Sequence, residues 1–263
     1  VGSVQLKLND DGFYTLMIGC SDMGTGCDTI PAQMAADGLG CDMDNIIVRG
    51  VDTDQSPYDS GSYASSTTYV TGGAVVKACE SMRKRICEEA AAIMGLKSGE
   101  VDFDGETISE NDNPEHSMTL SDLITSLEAG NGRIIEVTES HTSPVSPPPF
   151  MAGAAEIEVD LETGKITPIN YVAAVDCGTV INTNLARIQT EGGIVQGMGM
   201  TLYEDVQYTE AGKMKNRNFM SYKIPTRLDM GSISVEFESS YEQTGPYGAK
   251  SIGEIVINTP APA

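Results

Sequence analysis

The chain has 263 residues, enough for one or two domains whose core needs neither disulfides nor a metal for stability. With 40% apolar and 21% charged residues, its composition is that of a folded protein, which excludes general disorder. The net charge is −22, from 38 acidic and 16 basic residues, and it excludes nucleic acid as a partner because phosphates would be repelled. We expect no membrane-spanning helix and no signal peptide, since the required apolar runs are missing.

The cysteine and histidine spacings argue against a metal site built from side chains. None of the six cysteines forms a C-x-x-C pair, and the two histidines, His116 and His141, form no H-x-x-x-H pair. Zinc sites, cysteine-ligated iron–sulfur clusters and histidine-bound metals normally show such spacings. Free thiols are typical of the reducing cytoplasm, where we expect this protein.

A predicted strand pair opens the chain. Apolar and polar residues alternate over residues 4–8 and 13–18, on either side of a turn at residues 9–12. A Gly-rich loop follows at residues 19–26, and a helix is expected to begin near Asp28.

The strongest helix pattern of the chain begins near Gly72 and ends at Gly95. A second helix is expected from Thr119, where the sequence resembles a capping box. Short strands are expected at residues 46–48 and 134–137. The positions predicted for the buried face of the helix between Gly72 and Gly95 are Val75, Cys79, Met82, Ile86, Ala90 and Ile93.

A proline-rich stretch divides the sequence. Residues 143–149 cannot continue a helix or a central strand, so we predict a linker there between a first unit, residues 1–142, and a second unit, residues 150–263. Because the apolar run at residues 255–257 resembles the start of an element, we expect the second unit to be truncated at its C-terminus.

The second unit is expected to open with a hairpin over residues 155–175 and to continue with a helix from 184 toward 203. Another strand is predicted at residues 233–237. Strand pairs that alternate with long helices predict an α+β (mixed α/β) class, here with two subdomains of mixed sheets and packed helices.

Two segments of the first unit have compositions suited to ligand binding. The loop at residues 19–26 lies between a predicted strand and helix, where backbone N–H groups can bind an anion; an ordinary strand–helix turn is an equal alternative. Residues 59–73 place hydroxyls and small side chains ahead of the long helix, which suits an oxygen-rich anionic ligand. A capped helix after a Ser/Thr-rich loop is the alternative that composition alone favours.

A third segment lies within the second unit, at residues 176–200. Four glycines in one predicted helix each cost about 1 kcal/mol relative to alanine, which indicates close approach of another backbone or of a cofactor. Gln189 and Gln196 could bind the edge of a heterocycle. Tight helix–sheet packing is the alternative, and it explains the glycines but not the glutamines. The glycines are Gly192, Gly193, Gly197 and Gly199.

The fourth segment, residues 245–257, contains a carboxylate among apolar residues, Glu254. In such surroundings a carboxylate either finds a partner or has its pKa raised by desolvation, and a raised pKa suits a general base near neutral pH. A side chain that points to water is an equally good interpretation of the pattern.

In this order and at these separations, the four segments resemble the C-terminal half of the molybdopterin-binding subunit in the xanthine dehydrogenase and aldehyde oxidase family of molybdenum hydroxylases. The resemblance covers nearly the whole chain and is most specific at residues 176–204 and 245–254. The stretch G-A-K-S-I-G-E at residues 248–254 is similar to split subunits of clostridial-type xanthine or nicotinate dehydrogenases.

The resemblance implies that Glu254 is the general base in the hydroxylation of an electron-poor carbon of a purine or nicotinate-like ring, with water as oxygen source. It also implies that the pterin dithiolene, rather than a side chain, holds the molybdenum. Thr25 departs from the family pattern, which often has glutamine at that position. The implied cofactor-binding residues are Gly24, Thr25, Gly26, Ala64, Ser65, Thr67, Gln189, Glu191 and Gly253.

The same resemblance implies a molybdopterin cofactor in its cytosine dinucleotide form, with iron–sulfur clusters and FAD carried by partner subunits. A complementary molybdopterin-binding half is expected as a further partner, so this chain would be a natural split subunit or a fragment. The alternatives are an aldehyde oxidase or carbon monoxide dehydrogenase relative, or a non-catalytic assembly subunit.

Overall fold

The computed structural model describes residues 1–263, except for the side chain of Asn131. It divides into two compact units, the first formed by Val1–Ser146 with Thr244–Pro246, and the second by Pro147–Gln243 with Tyr247–Ala263. The division falls inside the proline-rich stretch. Residues 244–246 belong to the first unit although they lie far along the chain, and no sequence pattern predicted this. Their contact with the first unit includes a hydrogen bond of 2.6 Å between the hydroxyls of Tyr69 and Thr244.

Groups of one to three strands are separated by single helices along the chain. Those of the first unit are β1 (Gly2–Leu8), β2 (Tyr14–Ile18), α1 (Thr29–Leu39), β3 (Ile46–Arg49), α2 (Gly72–Met94), β4 (Val101–Phe103), β5 (Thr107–Glu110), β6 (Asn113–Thr119), α3 (Leu120–Asn131) and β7 (Ile135–His141). Those of the second unit are β8 (Phe150–Val159), β9 (Ile166–Asp176), α4 (Thr183–Leu202) and β10 (Ser232–Phe237).

The main sheet of the first unit has the strand order β3-β2-β1-β7. Its strand β1 pairs antiparallel with β2 and β7, and β2 pairs parallel with β3. The predicted alternation is confirmed, since Val4 and Leu6 of β1 and Leu16 of β2 are fully buried. The sheet therefore buries one apolar face, as the period of two requires.

Helix α2 confirms the predicted buried face except at one position. The stripe continues through Ile86 to Ala90 and Ala91, but Ile93 is 46% exposed. The expectation for Ile93 is wrong because the last turn of the helix is no longer covered by the rest of the unit. The helix ends as predicted at Gly95, whose φ of 74° suits a left-handed C-cap.

A second sheet in the first unit, β4-β5-β6, was not predicted. Val101, Phe103 and Ile108 are its buried apolar residues, whereas β6 is almost wholly exposed and polar. Short strands without apolar alternation give no period-two signal, so the sequence pattern could not indicate them.

The second unit contains the sheet β10-β9-β8, with β9 antiparallel to β8 and parallel to β10. The predicted hairpin, helix and last strand are all present, and three sheets with packed helices confirm the α+β class. Tyr171 and Val175 of β9 form the core with Ile194 and Met198 of α4. Among the described residues, no helix combines the length and the apolar character needed to cross a membrane.

Candidate functional site

The Gly-rich loop of the first unit is organised around the carboxylate of Asp22. Its Oδ1 accepts the backbone N–H groups of Gly24, Thr25 and Gly26 at 2.8, 3.1 and 3.3 Å, and its Oδ2 accepts that of Asp28 at 3.2 Å. Burial pushes the pKa of Asp22 upward, but these four donors outweigh it and hold the pKa below its ordinary value. The expectation that the loop points free amides at an anion is therefore wrong, because they are already paired.

The segment that leads into α2 has a strained backbone. Ala64 and Ser65 adopt the left-handed region with φ of 51° and 52°, although neither is glycine. Such residues cost roughly 1–3 kcal/mol each and cluster at ligand sites. A π-helical turn, Thr67–Thr71, follows directly and joins α2; single π turns are also frequent at functional sites.

Ser65 also supplies a polar atom in need of a partner. Its Oγ is buried and has no hydrogen-bond partner within the described part of the chain. A buried hydroxyl without a partner is unfavourable by about 1–3 kcal/mol. A ligand with polar edges bound beside Ala64 and Ser65 would satisfy this hydroxyl.

The two candidate segments of the first unit lie against each other. Ser62 Oγ donates to the carbonyl of Ser21 at 3.1 Å, and the side chain of Thr67 hydrogen-bonds the thiol of Cys27 at the end of the loop. The predicted loop and the predicted hydroxyl-rich segment therefore form one site, although they are about 40 residues apart in sequence.

Two buried thiols at the ends of this loop were not singled out by the sequence analysis. Cys20 and Cys27 hydrogen-bond each other, and Thr25 Oγ1 lies 3.0 Å from Cys27 Sγ. The bond from Cys20 lowers the pKa of Cys27 to about 6, whereas the same bond and burial raise the pKa of Cys20. Their positions on either side of the glycines were the available signal.

In the second unit, the third and fourth candidate segments pair with each other. The Lys250 N–H donates to the Cys177 carbonyl at 2.7 Å, and the Thr179 N–H donates to the Gly248 carbonyl at 2.8 Å. Gly178 has a φ of 69°, and a Cβ on it would lie 2.3 Å from the Gly248 oxygen. Glycine is therefore required for the close approach of these two segments.

The side chain of Lys250 is buried beneath this pairing. Its Nζ lies 2.8 Å from Asp176 Oδ2, and the two side chains are only 7% and 23% exposed. It also donates to the carbonyl of Pro148 at 3.3 Å and lies 5.3 Å from the centre of the Phe150 ring. The sequence analysis missed this residue; a single lysine among small and apolar residues was the available signal.

The carboxylate of Asp176 is held from its other side as well. Its Oδ1 accepts Ser240 Oγ at 2.5 Å and the Gly178 N–H at 3.0 Å. Burial raises the pKa of Asp176, but the bonds from Lys250, Ser240 and Gly178 outweigh burial, so the pKa lies below its ordinary value. Asp176 is thus held in its charged form.

Helix α4 presents glycines to the segment after Glu254. A Cβ on Gly193 would lie 2.1 Å from Val256 Cγ2, and one on Gly197 would lie 2.7 Å from the Ile257 carbonyl oxygen. The glycines of this helix thus allow another part of the backbone to approach, which is one of the two reasons that the sequence predicted.

Glu254 itself faces water in this chain. Its neighbour Gly253 is exposed too, whereas Lys250 before it and Val256 after it are buried. The interpretation of Glu254 as a desolvated carboxylate is therefore wrong here, and the water-facing alternative is the one found. The reason is local: in the turn Ile255–Ile257, Val256 takes the inward position.

Gln189 and Glu191 lie on different faces of α4. Gln189 precedes Gly193 by one helical turn, so it lies on the face that meets Val256. Glu191 instead lines an open cavity of about 600 Å³ beside Arg227. The structure does not bring these two predicted cofactor-binding residues together.

The predicted site residues thus fall into two sets. The set in the first unit is Gly24, Thr25, Gly26, Ala64, Ser65 and Thr67, and the set in the second unit is Gln189, Glu191, Gly253 and Glu254.

A family model described as a molybdopterin cofactor-binding domain matches residues 2–231. The chain therefore belongs to the molybdopterin cofactor-binding domain family, and the resemblance found in the sequence is confirmed.

Two relatives with assigned names are similar to nearly the whole chain. The probable hypoxanthine oxidase XdhD of Escherichia coli K12 is 33% identical over 98% of this chain and 27% of its own length. The putative xanthine dehydrogenase molybdenum-binding subunit XdhA of the same organism is 28% identical over 97% of this chain and 34% of its own length. The chain thus spans about a quarter to a third of these relatives.

Solved structures show the same fold. Reconstituted carbon monoxide dehydrogenase from Oligotropha carboxidovorans superposes with a TM-score of 0.89 at 24% identity, over 99% of this chain and 33% of that one. Quinoline 2-oxidoreductase from Pseudomonas putida 86 gives a TM-score of 0.85 at 24% identity, over 99% and 34%.

Proposed function

We propose that this chain is the molybdopterin-binding part of a molybdenum hydroxylase that hydroxylates an electron-poor carbon of an N-heterocycle, such as hypoxanthine, xanthine or nicotinate, with water as oxygen source. The 33% identity over 98% of the chain to a relative named as a probable hypoxanthine oxidase carries this proposal. A relative named nicotine 6-hydroxylase large subunit, 28% identical over 97% of the chain, supports a heterocyclic substrate.

The first unit would hold the pterin through the segment that leads into α2. Ser65 offers a buried hydroxyl in need of a partner, and the left-handed backbone at Ala64 and Ser65 is of the kind found where a ligand is gripped. Thr67, and the loop surface at Gly24–Gly26, lie in the same site. When bound, the molybdenum cofactor supplies two-electron redox chemistry.

The second unit would supply the proton acceptor. Glu254 takes up the proton that the oxygen nucleophile loses, and Gln189 and Gly253 contact the cofactor. Glu191, on the other face of α4, would reach it only at a separate point. The relatives are about three to four times as long as this chain, so we propose that parts of the whole protein outside this chain cover Glu254.

Partners follow from the same proposal. A complementary molybdopterin-binding part completes the pocket, and iron–sulfur and flavin subunits carry the electrons away. We propose the cytosine dinucleotide form of the cofactor. All six cysteines are free thiols, which supports a reducing, cytoplasmic location.

Carbon monoxide oxidation is the second candidate. The large chain of carbon monoxide dehydrogenase from Afipia carboxidovorans is 25% identical over 96% of this chain. A structure of the copper- and molybdenum-containing carbon monoxide dehydrogenase gives a TM-score of 0.90. The sequence identity supports this candidate, whereas the superposition shows a shared fold only. Substrate turnover separates the two candidates.

Isotope labelling tests the proposed reaction. The full-length protein, purified with its partner subunits, is given hypoxanthine, xanthine or nicotinate and a redox dye in oxygen-18-labelled water. We expect one of these rings to reduce the dye and to acquire the heavy oxygen, detected by mass spectrometry. Dye reduction by carbon monoxide alone would favour the second candidate, and a hydroxylated ring without the label would contradict water as oxygen source.

A further inference from the structure

We propose that Lys250 and Asp176 act as a buried clamp that positions the Gly253–Glu254 segment, so that both are positioning residues for the general base. This inference rests on the proposed function of Glu254. It assigns a purpose to two residues of the paired candidate segments for which the family resemblance implies no role.

The clamp joins three distant parts of the second unit. Lys250 Nζ bonds Asp176 at the end of β9, at 2.8 Å, and the carbonyl of Pro148 in the proline-rich stretch, at 3.3 Å. The Phe150 ring covers the same ammonium at 5.3 Å. On the far side, Ser240 and the Gly178 N–H fix the second oxygen of Asp176.

The clamp and helix α4 hold the Glu254 segment at both ends. Lys250 anchors the chain four residues before Glu254, and Val256 seats against Gly193 two residues after it. Between these anchors Gly253 and Glu254 are exposed, whereas Ser251, Ile252 and Ile255 are half-buried. The backbone of this exposed carboxylate is therefore held between two buried anchors.

Burying an ion pair is a poor means of gaining stability. The desolvation of both charges offsets much of their attraction, and apolar residues of similar volume often serve as well. The best supported use of such pairs is to fix one arrangement among several. Here the fixed arrangement is the register of residues 248–250 against residues 176–179, where the Lys250 N–H bonds the Cys177 carbonyl at 2.7 Å.

The test uses the full-length protein with its partners. Lys250→Met removes the ammonium but keeps an apolar stem, and Lys165→Met, at an exposed position in a turn, is its control. Because Lys250→Met could impair folding, Ser240→Ala provides a milder variant that deletes one bond to Asp176. Its control is Ser232→Ala, which deletes a similar bond to Asn170 at 2.8 Å.

Amide hydrogen exchange provides a readout that does not depend on catalysis. In Lys250→Met and, less strongly, in Ser240→Ala, we expect faster exchange in peptides covering residues 249–258, with peptides of β1 and β2 unchanged. Exchange at residues 249–258 equal to that of the control variants would overturn the clamp.

Turnover tests whether the clamp acts through Glu254. We expect kcat to fall up to about 100-fold in Lys250→Met, as for a displaced catalytic group, with little change in KM or molybdenum content. The double variant Lys250→Met/Glu254→Gln should be no slower than Glu254→Gln alone, because residues that act as a unit are not additive. Losses that multiply would overturn the positioning role.

The two proposals fail in different ways. Glu254→Gln with normal turnover but faster exchange in Lys250→Met would overturn the proposed base and leave the anchoring of the segment standing. Reduced turnover in Glu254→Gln with unchanged exchange in Lys250→Met would do the reverse.

Discussion

Both ring nitrogens of His141 are buried without a hydrogen-bond partner in the described part of the chain. The ring lies against α2, where a Cβ on Gly73 would be 2.6 Å from His141 Cδ2. Burial lowers the pKa of His141, and the positive charge of Lys77 lowers it further. Folding therefore favours the neutral form of the imidazole.

This burial predicts a loss of stability in mild acid. The unfolded chain takes up the proton near a pKa of 6.5, before the folded chain does, so stability is full above that pH and falls as the pH drops through it. His141→Leu should therefore lose less stability than the wild-type chain between about pH 7.5 and pH 5.5. Urea unfolding at both pH values measures the difference, and identical losses would contradict the prediction.

The hydrogen bonds that Asp22 accepts within the Gly-rich loop could not be predicted from the sequence. Its glycines indicated either an anion-binding loop or an ordinary strand–helix turn, but not that the carboxylate of Asp22 binds the N–H groups of Gly24 and Gly26. The sequence also left open whether Glu254 faces inward, because the apolar residues of the stretch I-G-E-I-V-I, residues 252–257, follow neither a helical nor a strand period. A single turn gives the inward position to Val256, and the pattern favours neither residue.

Helix α4 offers a matched pair of glycine substitutions. A Cβ on Gly193 would lie 2.1 Å from the buried, β-branched Val256, whereas one on Gly192 would meet no described atom within 4 Å. Gly192→Ala should stabilise the chain by up to about 1 kcal/mol through helix propensity. Gly193→Ala gains the same propensity, but the clash should make it destabilising by about 1–3 kcal/mol.

Thermal unfolding of the two variants checks this prediction. We expect the midpoint temperature of unfolding to rise above that of the wild-type chain in Gly192→Ala and to fall below it in Gly193→Ala. Two upward shifts would show that α4 and the Val256 segment do not pack as closely as described.

The long elements were predictable and the short ones were not. Helix α2 carries a full apolar stripe and a glycine cap, so its bounds follow from the pattern. The sheet β4-β5-β6 has three buried apolar residues among polar ones. The π turn Thr67–Thr71 has no pattern that distinguishes it from the α-helix it joins. Tertiary packing determines both features.

For the molecule as a whole, local patterns predicted the four candidate segments but not how they pair. The contact of residues 176–179 with residues 248–250 joins positions about 70 apart, and a single sequence contains no signal for it. Family resemblance supplied the cofactor and the role of Glu254. The ion pair of Lys250 and Asp176 emerged only from the structure, since neither residue type is expected in a core.

The role of Glu254 is tested most directly by one substitution in the full-length, cofactor-loaded protein. Glu254→Gln keeps the size and polarity of the side chain and removes its ability to accept a proton. Glu210→Gln, at an exposed position of the second unit, is the matched control. Turnover is measured by steady-state dye reduction with the heterocycle that the wild-type protein hydroxylates, alongside the molybdenum content.

We expect kcat of Glu254→Gln to fall by at least about 100-fold with normal molybdenum content, because general-base catalysis is lost. Glu210→Gln should match the wild-type protein. A kcat for Glu254→Gln equal to that of the control, at equal molybdenum content, would contradict Glu254 as the general base.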